Sequence, residues 1–248
     1  MRQLSTFLRR EELENLRVEL GKSNGLLPPK SPWEEFRFFI GQYNGIVYKS
    51  GKVVYHEELS GFIESILTED ECVEIGSDEA GKGEITGPIV VAAVALDERG
   101  RRVLRARGLL ESKSSPKSRV NELANLIREI SISYSIKKVS PDELRDIWSR
   151  GNLNELLALW HLEVIRELLE VTNACRVIVD SFDEKRLRGT LSKIKVPQVI
   201  IESNADLRYS SVAAASILAR FEYLKERSSG IKWKRRDRGD DEEKSSLG

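Results

Sequence analysis

The chain has 248 residues, 40% of them hydrophobic, enough for one domain of ordinary size or for a large and a small one. Lysine plus arginine and aspartate plus glutamate stand at 40 each, so the formal net charge is zero. That balance excludes nucleic-acid binding through overall charge and requires a local basic surface for it. No apolar run reaches the roughly 18 residues of a membrane-spanning helix, and the N-terminus MRQLSTFLRREELENL is too charged for a secretion signal. Cys72 and Cys175 are too few and too far apart for a disulfide framework or a CxxC metal site. A soluble, cytoplasmic chain with two buried, reduced thiols is the expectation.

In chain order, REELENLRVEL (Arg10–Leu20) carries apolar residues at 13, 16 and 20, which is helical spacing. GLLPPKSP breaks the chain. Short aromatic and β-branched runs follow in FRFFIGQYNGIVYKSGKVVYHEE, with hairpin signals at Asn44-Gly45 and Ser50-Gly51. LSGFIESIL closes this part as a short helix, so residues 1–70 read as a small α+β unit.

From Glu71 the pattern changes to alternating strands and helices, the mark of an α/β sheet. CVEIGS and PIVVAAVAL read as strands around a glycine turn, residues 116–130 as a helix, ISYSIKKV as a strand and residues 153–170 as a long amphipathic helix. CRVIVDSF is a short apolar strand ending in an acid; residues 184–194 read as helix, QVIIES as strand and residues 210–227 as the last helix. Residues 71–227 therefore form an α/β unit, and the charged, Gly- and Ser-rich tail 228–248 reads as disordered.

Acids stand where strands end or helices begin: Asp78 and Glu79 after CVEIGS, Asp180 after RVIV, and Asp206 before the helix with AAAS at Ala213–Ser216. In α/β sheets function collects at such strand ends. Taken singly, each acid also has an ordinary reading: one of 40 solvated carboxylates, or, for Asp206, a helix cap. Together in one cleft they would repel one another into protonation unless hard divalent cations held them.

IGSDEAGKGEITGPIVVAAV resembles the first signature of the type 2 ribonucleases H, the group of ribonucleases HII and HIII. ESKSSPK at Glu111–Lys117 is similar to that family's DSK segment, GNLNELLALWH leads to a family histidine at His161, VIVDSF carries the third acid, and DLRYSSVAAASILAR the fourth. The resemblance covers about Ile75 to Leu224. Ser77, the GKG after the acids and the IVYKSGKVVYH hairpin resemble ribonuclease HIII, whose N-terminal domain is like the TATA-box-binding protein. Asp206 is instead the HII-like choice of fourth acid, with Glu202 as the alternative, and no later segment resembles the tyrosine segment with which ribonuclease HII reads a DNA–RNA junction.

The resemblance implies an RNase H-like mixed sheet flanked by helices, preceded by the small α+β domain. It implies hydrolysis of the RNA strand of RNA–DNA hybrids, leaving 5′-phosphate and 3′-hydroxyl ends, by a monomer using two Mg2+ or Mn2+ ions. Asp78, Glu79, Asp180 and Asp206 would be the catalytic metal ligands. Gly81 and Gly83 would let the backbone approach a ribose 2′-hydroxyl, with Lys82, Ser112 and Lys113 near phosphate. Tyr43, Tyr48, Lys49, Lys52 and Tyr55 suit a hybrid-gripping hairpin, although a half-buried sheet face alternates in the same way. His56 and His161 read as structural. Cleavage at single embedded ribonucleotides and hybrid binding without turnover remain as alternatives.

Overall fold

The computed structural model describes residues 2–83, 87–111, 116–148 and 152–228. The chain opens with β1 (Gln3–Phe7), α1 (Arg10–Lys22), β2 (Leu26–Leu27), β3 (Glu34–Ile40), β4 (Tyr43–Tyr48), β5 (Lys52–His56) and α2 (Ser60–Ile66). The strands form an antiparallel sheet in the order β1-β5-β4-β3-β2. Alternate residues face inwards, so Leu4, Phe36, Phe38, Val47, Val53 and Tyr55 pack on Leu16 and Leu20 of α1 and Ile63 of α2.

Of the two hairpin signals, Ser50-Gly51 joins β4 to β5, with Gly51 at φ +84°. Asn44-Gly45 lies inside β4 instead, and the β3–β4 turn uses Gly41 at φ +59°. Gly45 is bare for a packing reason: a Cβ there would stand 2.2 Å from the Phe38 ring. Tyr55 also departs from the hairpin expectation. It points into the core and donates from its hydroxyl to the Ala106 carbonyl at 2.7 Å.

The second sheet is built from β6 (Glu74–Ala80), β7 (Ile89–Leu96), β8 (Ser133–Val139), β9 (Arg176–Asp180) and β10 (Gln198–Glu202), in the order β10-β9-β6-β7-β8. β6, β9 and β10 run parallel, while β7 and β8 are antiparallel to their neighbours. α3 (Glu98–Ala106), α4 (Lys117–Ile130) and α8 (Ser210–Ser228) cover one face, and α6 (Leu153–Val171) and α7 (Glu184–Leu191) the other; α5 (Pro141–Trp148) follows β8. β7 is apolar throughout because both its faces are covered: Val90, Ala92 and Val94 belong to one core, Val91, Ala93 and Ala95 to the other. The tail beyond residue 228 lies outside the described residues.

α3 joins the two sheets. Arg105 forks onto both carboxylate oxygens of the fully buried Glu12 in α1, at 2.9 Å each, and reaches Glu69 at 2.7 Å. The expected free thiols are not found: Cys72 and Cys175, just ahead of the parallel neighbours β6 and β9, form a disulfide with a Cα–Cα distance of 5.8 Å. Strand pairing brings together two residues that sequence distance keeps apart. Among the described residues no helix is long and apolar enough to cross a membrane.

Candidate active site

β6 and β9 run parallel with Ser77 opposite Val179, so Asp78 and Asp180 follow at neighbouring positions at the carboxyl ends of central strands. The strand's two-residue period sends successive side chains to opposite faces. Gly76 and Asp78 face α8, whose backbone at Ser211 lies directly against Gly76. Ser77 and Glu79 face α6, where His161 sits.

Asp78 is 7% exposed. Burial pushes its carboxyl up to about 8, and the charges of Glu79 and Asp180 push the same way. A hydrogen bond from the Ser216 side chain and the Glu79 N–H, which donates to Oδ1 at 2.7 Å, offset this only in part. Asp180 accepts the Ala205 N–H at 3.1 Å, which ties the end of β9 to the turn carrying Asp206.

Asp206 is buried and shares with Ser216, Arg220 and Leu110 the wall of a small cavity of about 50 Å3. Glu202, opposite Asp180 in β10, is bonded to Arg208 and approached by the Tyr209 hydroxyl at 3.4 Å. Asp78, Glu79 and Asp180 are thus brought together, and Asp206 stands beside them across Ser216. No group of three or more His, Cys, Asp or Glu among the described residues is arranged to hold a metal ion as it stands. The donor set nevertheless fits one chemically. It is all oxygen, and burial beside like charges leaves it in deficit of positive charge, which suits a hard divalent cation.

The bare backbone after the acids has a local cause. Gly81 (φ +91°) and Gly83 (φ +118°) lie in the left-handed region, and a Cβ on Gly81 would stand 2.1 Å from the Pro88 carbonyl oxygen. The ring of Tyr223 on α8 forms the floor beneath, 3.1 Å from where a Cβ on Gly81 or Gly87 would be. Lys82 does not extend away from the acids. Its Nζ lies 3.8 Å from Glu79 Oε1 and 4.0 Å from the centroid of the Phe182 ring. Ser112 and Lys113 lie outside the described residues.

Three contributors escape a sequence reading. Ser216 shows only as the end of AAAS, and Tyr223 and Phe182 carry no local signal, because their partners are distant in sequence. Ser77 and His161 stand out through the family resemblance, but nothing in the sequence pairs them.

The family model described as "Ribonuclease HII" matches residues 75–244. The chain is 37% identical over 155 residues to a ribonuclease HII of Methanothermobacter thermautotrophicus, covering 60% of this chain and 71% of that one. It is 34% identical over 197 residues to a ribonuclease HIII of Protochlamydia amoebophila, covering 72% of this chain and 65% of the relative. Among solved structures, Bst-RNase HIII in complex with Mn2+ superposes with a TM-score of 0.60 at 22% identity, over 92% of this chain and 82% of that one. This last likeness is one of fold. It spans both sheets, as the expected RNase H-like sheet preceded by a small α+β unit requires.

Proposed function

The chain belongs to the ribonuclease HII family of metal-dependent ribonucleases H, and we propose that it cuts the RNA strand of RNA–DNA hybrids with Asp78, Glu79, Asp180 and Asp206 as ligands of two Mg2+ or Mn2+ ions. One observation carries the reading: Asp78 is buried between two further acids, with its carboxyl held up to about 8. A fold has no use for such a cluster, and a divalent cation relieves it.

Held by Asp78, Glu79, Asp180 and Asp206, two such ions would supply an activated water and stabilise charge on the departing 3′-oxygen, giving 5′-phosphate and 3′-hydroxyl ends. The chain's own residues do the rest. As a ligand Asp78 would be ionised, so loading would release its proton. Ser216 and the Glu79 N–H keep its carboxylate at the strand end. Glu79 Oε1 is approached by the Lys82 ammonium, and an ion held there would free Lys82 for a phosphate. Gly81 and Gly83 present backbone groups to a 2′-hydroxyl, and Ser112 and Lys113 are the further substrate-binding residues of this reading.

In the same reading residues 1–70 are a substrate-binding domain, residues 71–227 the catalytic domain and residues 228–248 a tail, and the enzyme works as a cytoplasmic monomer. The outward face of the first sheet carries Tyr48 and Lys52, with the Lys52 Nζ 5.8 Å from the Phe7 ring centroid. Aromatic and basic groups so placed suit a backbone grip that reads shape.

The deciding experiment compares a continuous hybrid with a duplex holding one ribonucleotide, cut by wild type and by Asp180→Asn, in Mg2+ and in Mn2+. Cutting of the hybrid by wild type and a loss of at least about a hundredfold in Asp180→Asn are expected. An unchanged rate in Asp180→Asn would sink the ligand assignment. Preferential cutting at the single ribonucleotide would favour the alternative supported by Asp206 and by the identity to ribonuclease HII. Tight hybrid binding without cleavage in either metal would favour a binding protein.

A further inference from the structure

We propose that His161 is the positioning residue for Glu79: it holds one carboxylate oxygen so that the other faces the acids across the strand end. The inference rests on the metal reading above. Asp78 and Glu79 are consecutive on β6, so their side chains leave opposite faces of the strand, one towards α8 and the other towards α6. Two such carboxylates meet at one ion only if Glu79 is turned over the strand end and kept there.

His161 has what that requires. It is fully buried on α6, yet both ring nitrogens are engaged: Nδ1 lies 2.7 Å from Ser77 Oγ, and Nε2 lies 3.2 Å from Glu79 Oε2. Ser77, two residues before Glu79 on the same face, is itself held by donating to the Ala92 carbonyl at 2.9 Å. The ring packs against Phe182 at 5.6 Å between centroids, and its neighbours Trp160 and Leu162 are buried in the core. The imidazole is thus braced at Nδ1 and on its face, and its one remaining polar atom meets Oε2. The other oxygen, Oε1, is the one that the Lys82 ammonium approaches at 3.8 Å. One oxygen is anchored and the other is offered to positive charge. A buried imidazole needs a partner at each nitrogen, and here the second partner is an acid at the strand end, not a group of the core.

Isothermal titration of Mn2+ into the full chain tests this with two amides of opposite reach. His161→Asn places its amide near the Nδ1 position and keeps the Ser77 contact. His161→Gln places an N–H near the Nε2 position and keeps the contact to Glu79. The proposal expects Asn to weaken Mn2+ binding about 10- to 100-fold, the usual effect of losing a residue that orients a ligand, and Gln to stay close to wild type. A purely structural histidine gives the reverse order in thermal stability and no difference in Mn2+ affinity. A folded His161→Asn that binds Mn2+ as wild type does overturns the proposal. Where His161→Asn does not fold, Ser77→Ala removes the brace and keeps the ring; weaker Mn2+ binding is expected there, and unchanged affinity overturns the proposal. Wild-type protein that takes up no Mn2+ is a different result, one that overturns the metal reading itself and this inference with it.

Discussion

Gly76 and Ser211 meet backbone to backbone: a Cβ on Gly76 would stand 2.1 Å from the Ser211 carbonyl carbon and 2.2 Å from the Val212 nitrogen. Backbone cannot swing aside as a side chain can, so Gly76→Ala must push α8 off β6. We expect a loss of about 3 kcal/mol, at the upper end of overpacking costs, read as a lower midpoint in urea. Because α8 also carries Ser216, the folded fraction should lose activity as well. A variant with wild-type stability would show that helix and strand are not in this contact.

The raised Asp78 carboxyl gives the metal-free protein a definite pH dependence. Its folded value of about 8 lies above the ordinary 3.8, so between those limits the folded protein keeps a proton that the unfolded chain has released. Stability therefore falls as pH rises through that window. Asp78→Asn, neutral at every pH, removes this contribution. In EDTA the variant should melt above wild type by a margin that grows from pH 5 to pH 8, while it loses cleavage of a hybrid. A margin independent of pH would show that Asp78 is ionised throughout.

Glu12 and Arg105 give the opposite sign. Burial raises the Glu12 carboxyl, but hydrogen bonds and charge from Arg105, with the Thr68 and Arg9 N–H groups, outweigh it and leave the carboxyl below its ordinary 4.5. The stability it contributes is present above pH 4.5 and is lost as pH falls through the lowered value. Glu12→Ala leaves Arg105 charged and buried, and should cost about 3–5 kcal/mol by denaturant titration. Glu69, which also bonds Arg105, can soften the loss. A cost under about 1 kcal/mol, that of an exposed ion pair, would mean that the two sheets do not depend on this strut.

Much of this molecule was legible because its signals are local. β7 reads as a strand buried on both faces from IVVAAVAL alone, and the acids at the ends of β6 and β9 stand out because each closes an apolar run. Asn44-Gly45 misled because a glycine that makes room for the Phe38 ring looks the same as a glycine that turns the chain. Tyr55 misled because aromatic alternation does not say which face is the core. The remainder depended on partners far apart in sequence: His161 with Ser77 and Glu79, Tyr223 with Gly81 and Gly87, and Cys72 with Cys175. No spacing rule reaches across such gaps, and only the strand order brings these groups together.

The disulfide supplies the last prediction, and it separates stability from chemistry. Cys72 and Cys175 sit ahead of β6 and β9, where the Cys175 N–H also donates to the Val73 carbonyl at 3.0 Å. The bond closes a sequence separation of 103 residues. In the chain-entropy account a loop of that length stabilises by about 4–5 kcal/mol, and measured values usually fall at 2–4 kcal/mol. Reductant, Cys72→Ser and Cys175→Ser should each lower the melting temperature by roughly 10 °C for a chain of this size. The double variant should match either single one and ignore reductant, because all of them remove one bond. Asp78 and Asp180 lie at the opposite ends of the two strands, so cleavage well below the melting temperature should survive reduction. Two titratable thiols in the native, unreduced protein would exclude the bond, and loss of cleavage on reduction at low temperature would show that the strand ends carrying the acids depend on it.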